Sequence, residues 1–306
     1  MKVVIFGCQQ IAVDFIDYLL TLPDVDIPLV VTYELPFDKL YGYESVLDRC
    51  VEKGLNVVSS RAWQVVESVR QVKPDVIFSV YYRKIFPVEL LHIPLGGCIN
   101  IHPGLLPFYR GPVPTAWAIK NGETCFGITI HNMDQGIDTG DILIQKKYSI
   151  GADETGFELY RRAMMLGAEL LRRNFYALAR REIAPRKQVG TGSYYGKMGD
   201  KHIIDWRNSA ESIRNIVRVH AKPFSPVEAV LFNRYVLINK VRVVRDEKYV
   251  LQGGGWIVDI IDGDKLLVTC ADGCLLLEDF EIAPALSEEN KKDFLKVGNR
   301  FQPLKK

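Results

Sequence analysis

The 306-residue chain has no run of about 18 apolar residues that could cross a bilayer. Its start, MKVVIFGCQQ, enters a strand-like run without the long apolar core of a secretion signal, so a cytoplasmic protein without a membrane partner is expected. Cysteine is sparse: Cys8, Cys50, Cys98, Cys125, Cys270 and Cys274 are scattered through a chain too long to need disulfide staples, which argues for reduced thiols. An excess of charge is missing too. Thirty-nine Lys+Arg stand against 37 Asp+Glu, a net of +2, whereas a nucleic-acid binder relies on a basic surplus to neutralise phosphates. Several catalytic and cofactor signatures are also absent. The residues after Gly7 read CQQIA instead of the glycine pattern that seats a dinucleotide pyrophosphate, which disfavours a nicotinamide cofactor. Phosphate-loop, serine-elbow and zincin motifs do not occur. Cys270 and Cys274 flank an Asp-Gly turn with no histidine nearby, so no metal is expected.

The first half does contain short β-branched runs alternating with amphipathic stretches, the pattern of βα units that feed a mostly parallel sheet. Strands are expected at Val3 to Phe6, Pro28 to Thr32, Leu55 to Val58, Asp75 to Val80 and Cys98 to Ile101. Helices are expected at Gln10 to Leu20, Ser45 to Glu52 and Ala62 to Val72. A hairpin, Phe126 to His131 with Asp141 to Tyr148, and a long helix, Thr155 to Arg181, complete a Rossmann-like, doubly wound α/β domain over residues 1–183. Residues 184–204 hold Pro185 and four glycines and read as a linker. Beyond them, a short helix at Ser209 to His220 and short strands with tight turns predict a small β-barrel-like (OB-like) domain over 205–306.

The informative stretch is GCINIHPGLLPFYRG, Gly97 to Gly111. Asn100 and His102 lie two apart on an apolar strand, so both point to one face, and the strand runs into a loop at its carboxyl end, where open α/β sheets bind ligands. A capped strand end with a satisfied histidine would account for the same residues. Asp138, in the Gly-rich turn of HNMDQGIDTGDILIQ, is a poor candidate for burial unless it partners a cation such as an imidazolium. Together the three side chains suit attack of an amine on an acyl carbon. Asn100 offers a neutral donor to the oxyanion and His102 a charged one, while Asp138 would raise the histidine pKa and keep it cationic.

The Asn-x-His followed by Leu-Leu-Pro-x-x-Arg-Gly (Asn100, His102, Leu105, Leu106, Pro107, Arg110, Gly111) and the later Asp-x-Gly (Asp138, Gly140) resemble the formyltransferases that use 10-formyltetrahydrofolate. Phe78 to Lys84 resembles the segment lining the folate pocket of that family, and Tyr194 to Trp206 resembles its linker, so the resemblance spans essentially the whole chain. It implies Asn100, His102 and Asp138 as the catalytic trio, with the donor held near Tyr81, Tyr82, Ile85, Leu105, Leu106, Pro107 and Asp134. No metal is implied.

Two acceptors compete. A tRNA enzyme needs a basic surface, yet residues 205–306 carry 16 Lys+Arg and 15 Asp+Glu, and Leu105 to Thr115 contains one basic residue, Arg110. Lys292, Lys296, Arg300, Lys305 and Lys306 gather at the terminus, where solvation explains them equally well. The paired tyrosines of FSVYYR and the aromatic of PFYRG resemble the members acting on nucleotide-linked aminosugars, an acceptor used in surface polysaccharide synthesis. Under that reading Tyr109, Tyr194 and Tyr195 cover base or sugar, and Arg110, Lys197 or Arg207 meets the pyrophosphate. Structural roles compete at each: a salt bridge for Arg110, a covered junction for Tyr194 and Tyr195. Three other readings are carried: methionyl-tRNA formylation, a folate- or nucleotide-binding protein without activity, and a hydrolase releasing formate. His131 reads as a satisfied group near the Asp138 turn, and homodimerisation through apolar strands of the second domain is a further expectation.

Overall fold

The computed structural model describes residues 1–33, 41–199, 202–245, 249 and 253–302. Lys201 of the expected linker and the terminal Lys305 and Lys306 lie outside them. Strands β1 (Lys2–Gly7), β2 (Asp26–Thr32), β3 (Val57–Ser59), β4 (Val76–Val80), β5 (Cys98–His102), β6 (Cys125–Asn132) and β7 (Ile142–Ser149) form one sheet in the order β3-β2-β1-β4-β5-β6-β7. The first five are parallel, and β6 and β7 run antiparallel as the expected hairpin. Val3, Val4, Ile5 and Phe6 are fully buried, as a central parallel strand covered on both faces requires. Each such side chain contributes roughly 1.5–3 kcal/mol relative to exposure.

Helices α1 (Gln9–Leu19), α2 (Val46–Glu52), α3 (Val66–Val72), α4 (Val88–Leu91), α5 (Pro114–Lys120) and α6 (Gly156–Ala179) connect or flank these strands. Ser45 caps α2 by accepting from the Asp48 N–H at 3.1 Å. Thr155 and Glu158 form a reciprocal capping box at the start of α6. The helix expected over Ala62 to Val72 is broken: a 3-10 turn at Ala62–Gln64, where Gln64 Oε1 accepts from the Arg61 N–H at 3.0 Å, precedes α3, and Val65 between them departs from helical geometry at φ −111° and ψ 7°. Helix α4 went unforeseen; at four residues it is too short to carry a period.

The second sheet joins β8 (Val227–Leu231), β9 (Arg234–Val244), β10 (Ile257–Ile261), β11 (Lys265–Thr269) and β12 (Cys274–Ala283) as antiparallel strands in the order β10-β11-β12-β9-β8. This is the expected β-rich domain, with α7 (Ala210–Val219) and a terminal helix, α8 (Glu288–Phe294), which was not foreseen. Its core gathers Trp206, Ile213, Val217, Ile238, Leu275 and Phe301. The chain divides into two compact units at other places than the sequence suggests. Unit 1 is Met1–Thr115, Cys125–Ser149 and Arg161–Lys197; unit 2 is Ala116–Thr124, Ile150–Tyr160 and Met198–Lys306. Most of the expected linker therefore belongs to unit 1. No helix among the described residues is long and apolar enough to cross a membrane.

Within unit 2 the His202 and His220 rings lie 3.9 Å apart between centroids, a pairing without a sequence signal. Burial, with further lowering from the neighbouring His202 and Lys120, pushes His220 down to about 4. The unfolded chain then binds a proton that the folded chain refuses between the ordinary value near 6.5 and 4, so stability falls as pH drops through that window. A His220→Phe variant is expected to show a smaller drop in Tm between pH 7 and pH 5 than the native protein, measured by differential scanning calorimetry. An equal drop would remove His220 as a cause.

Candidate active site

Strand β5 sets Asn100 and His102 on one face by its period of two. The antiparallel register with β6 places His131 directly across from Asn100 and Thr129 across from His102. The Tyr109 carbonyl lies 2.8 Å from Nε2 of His102. A carbonyl only accepts, so the hydrogen sits on Nε2, and Nδ1 is the nitrogen facing Asp138 Oδ2, at 3.5 Å. By the same reasoning the Asn132 carbonyl, 2.7 Å from Nδ1 of His131, places the hydrogen there and leaves Nε2 to accept from the Asn100 Nδ2 at 3.1 Å.

Asp138 is where these contacts meet. Its Oδ1 accepts from Asn100 Nδ2 at 3.4 Å and lies 3.6 Å from His131 Nε2. Its Oδ2 accepts the Gly111 N–H at 2.9 Å. The backbone of Asp138 is left-handed, with φ +55°, and the neighbouring Gly140 is pressed so closely on the Asn132 carbonyl that no side chain fits. Left-handed φ recurs at Tyr81, Tyr109 and Val113, all in the segments following β4 and β5. Non-glycine residues in that region cost roughly 1–2 kcal/mol each, and such strain gathers where side-chain direction matters.

The electrostatics correct one expectation. Burial pushes His102 below its ordinary value and outweighs the opposing pull of Asp138, so the imidazole is neutral near pH 7 rather than standing as a cation. Asp138 is held well below the usual carboxylate range: burial alone would raise it, but the attraction of His102 and His131 in their protonated forms, with the Gly111 N–H, wins. A buried carboxylate is thus kept ionised beside a neutral imidazole that it is ready to stabilise once protonated.

The loop after β5 is fastened from two sides. Thr129 donates to the Gly104 carbonyl at 2.6 Å, and Gln145 donates to the Leu106 carbonyl at 2.8 Å. From the expected linker, the Ser193 N–H donates to Pro107 and the Ser193 carbonyl accepts from Arg110. Ser193 Oγ accepts the Tyr109 N–H, and the Tyr195 N–H donates to Arg110. The segment from Arg186 to Tyr195 is therefore a strap over the loop, bridged at its start to Ile142. Tyr109 and Tyr195 stack with centroids 5.1 Å apart at 9°. A Cβ on Gly111 would fall 2.9 Å from the Tyr194 ring, which packs there while remaining 58% exposed.

Other expected residues lie differently. Tyr82 sits in the apolar cluster with Phe6 and Phe86 and donates to the Ser60 carbonyl at 2.8 Å, so it serves the core. Ile85 and Phe108 are exposed, Tyr81 is buried, Leu105 packs on Gly127 and Leu106 is buried. Asp134 stabilises its own turn through Gly136 N–H and Thr139 Oγ1. Lys197 is exposed. Arg110 is bound by a neutral partner, Gln188, rather than by the expected salt bridge, and Arg207 is paired with Asp205 at 2.7 Å. Sequence reasoning underrated His131 and missed Gln188 and Ser193. The strand spacing of His131 was a usable signal; nothing marked the other two. Among the described residues no group of three or more metal-ligating side chains occurs.

The formyl transferase model matches residues 27–174 and the formyl transferase C-terminal domain matches residues 199–293. A methionyl-tRNA formyltransferase of Synechococcus sp. is 36% identical over 260 residues, covering 79% of this chain and 77% of that protein. One of Alkaliphilus oremlandii is 31% identical over 313 residues, covering 99% and 98%. Among solved structures, an N-formyltransferase of Helicobacter canadensis, in complex with folinic acid and dTDP-3-aminofucose, superposes with TM-score 0.73 at 21% identity, covering 92% of this chain and 99% of that one. The Asn-x-His strand, its strapped loop and the buried carboxylate thus occur in a chain matched across both of its units, and the protein belongs to the formyl transferase family.

Proposed function

We propose that the protein transfers the formyl group of 10-formyltetrahydrofolate to the amine of a nucleotide-linked deoxy-aminosugar, with Asn100, His102 and Asp138 as catalytic residues. The amine nitrogen bonds to the formyl carbon, the bond from that carbon to the donor nitrogen breaks, and one proton passes from the amine to the departing nitrogen. Neutral His102 accepts that proton on Nδ1, where the Asp138 carboxylate at 3.5 Å stabilises the imidazolium, and then returns it. Asn100 donates to the oxyanion by giving up its 3.4 Å contact to Asp138, the weaker of its two hydrogen bonds. Ile85, Phe108 and Ile137 are exposed apolar side chains, the chemistry that would receive the flat rings of a folate, and the folate would supply the activated formyl group.

The observation that carries the acceptor is the aromatic strap. The exposed Tyr194 ring lies on Gly111, whose N–H holds the Asp138 carboxylate, so a base or sugar stacked on it would stand beside the reacting centre. The charge balance of residues 205–306 favours the same acceptor over a polyanion. The names of the sequence relatives favour the second reading, formylation of methionyl-tRNA. UDP-, dTDP- and GDP-linked aminosugars, each incubated with 10-formyltetrahydrofolate, are expected to yield at least one product heavier by CO in mass spectrometry. Inert sugars, together with salt-sensitive formylation of charged initiator tRNA, would reverse the choice.

A further inference from the structure

Gln188 lies in the segment whose composition suggests a linker, yet both ends of its amide are engaged at the site. Its Oε1 accepts Nε and Nη2 of Arg110 at 3.2 and 2.7 Å. Its Nε2 donates to the main-chain carbonyls of Asp138 and Gly140, both at 2.8 Å. Guanidinium nitrogens only donate and carbonyls only accept, so the amide has one satisfactory orientation; the flipped form would set oxygen against two carbonyls and N–H against N–H. The two Nε2 bonds bracket the turn in which Asp138 holds its left-handed φ of +55°. That conformation aims the carboxylate at Gly111 N–H and His102.

We propose that Gln188 is a positioning residue that sets the catalytic carboxylate and the Arg110 guanidinium in fixed relation, so that an acceptor anion held by Arg110 places its amine against Asp138 and His102. The proposal rests on the catalytic reading given above. One amide does both tasks, so substitutions can separate them. Gln188→Glu keeps the side-chain length and strengthens the hold on Arg110, but it loses both N–H groups and turns an anionic oxygen toward two carbonyls. Gln188→Met keeps the length and loses both tasks.

Formyl transfer and the pH titration of His102, followed by 15N NMR of the imidazole and assigned with His102→Gln, are compared in the native protein and the two variants. Gln188→Glu is expected to lower kcat about 100-fold, the scale of an ångström's misplacement, with the KM for acceptor little changed. Gln188→Met lowers kcat similarly and raises the acceptor KM severalfold. In both variants Tm stays close to native and the His102 titration is displaced, a change that a merely structural role would not produce. A native titration with kcat within twofold in either folded variant overturns the proposal, as does a loss of activity that tracks Tm alone. The titration needs no acceptor. Failure of the whole aminosugar panel would therefore overturn the acceptor reading while leaving Gln188 under test.

Discussion

Replacing His102 by alanine is expected to reduce kcat by about 10³-fold or more, since a general acid–base alone accounts for roughly 10²–10⁴ and in the proposed reaction this residue handles the proton in both directions. The loss should fall on kcat rather than on KM. His102 is almost wholly buried, its Nε2–H is engaged by the Tyr109 carbonyl, and its free nitrogen faces Asp138. The acceptor contacts proposed for the strap do not depend on it. Steady-state kinetics with mass detection of product would check this. Turnover within tenfold of native would remove the residue from the chemistry, and an unchanged far-UV spectrum would exclude unfolding as the cause.

Asp138→Asn is expected to cost about 10²–10³ in kcat, comparable to removing one preorganised electrostatic partner. The amide keeps the shape and can still accept from the Gly111 N–H, but it offers no charge to an imidazolium. A second effect has a definite sign. In the native site, burial lowers the His102 pKa while Asp138 raises it. Without the carboxylate the pKa falls further, and because the proposed proton transfer starts from neutral His102, activity is lost as pH drops through that pKa. The acid limb of the kcat/KM profile should therefore move to lower pH while the plateau falls. A limb that stays in place would show that another group sets it.

Much of this site is legible in the sequence. A strand period of two is local, so spacing alone assigns Asn100 and His102 to one face, and the Gly-rich setting of Asp138 marks its turn. Alternating strands and helices declare the parallel sheet. The helix over Ala62 to Val72 is interrupted at Val65, whose backbone leaves helical geometry, a local break that periodicity does not register. His131 is visible as a strand residue. Its place opposite Asn100 depends on which strands pair and in what register, and a strand in isolation carries no record of that.

The strap shows the same divide at longer range. Composition separates residues 184–204 as glycine-rich and polar, which suits a linker and equally suits a segment whose backbone must approach another closely. Gly192 has a left-handed φ of +63° and closes on the Pro107 carbonyl, and Gln188 reaches an arginine 78 positions earlier. By itself, the sequence determined which chemical groups the protein owns, the faces its strands present, and a near-neutral charge balance. Only the tertiary structure decided that burial favours a neutral His102, that Asp138 stays ionised, and that the expected linker braces the loop after β5. Desolvation and hydrogen bonds between distant residues come into being only when the chain packs.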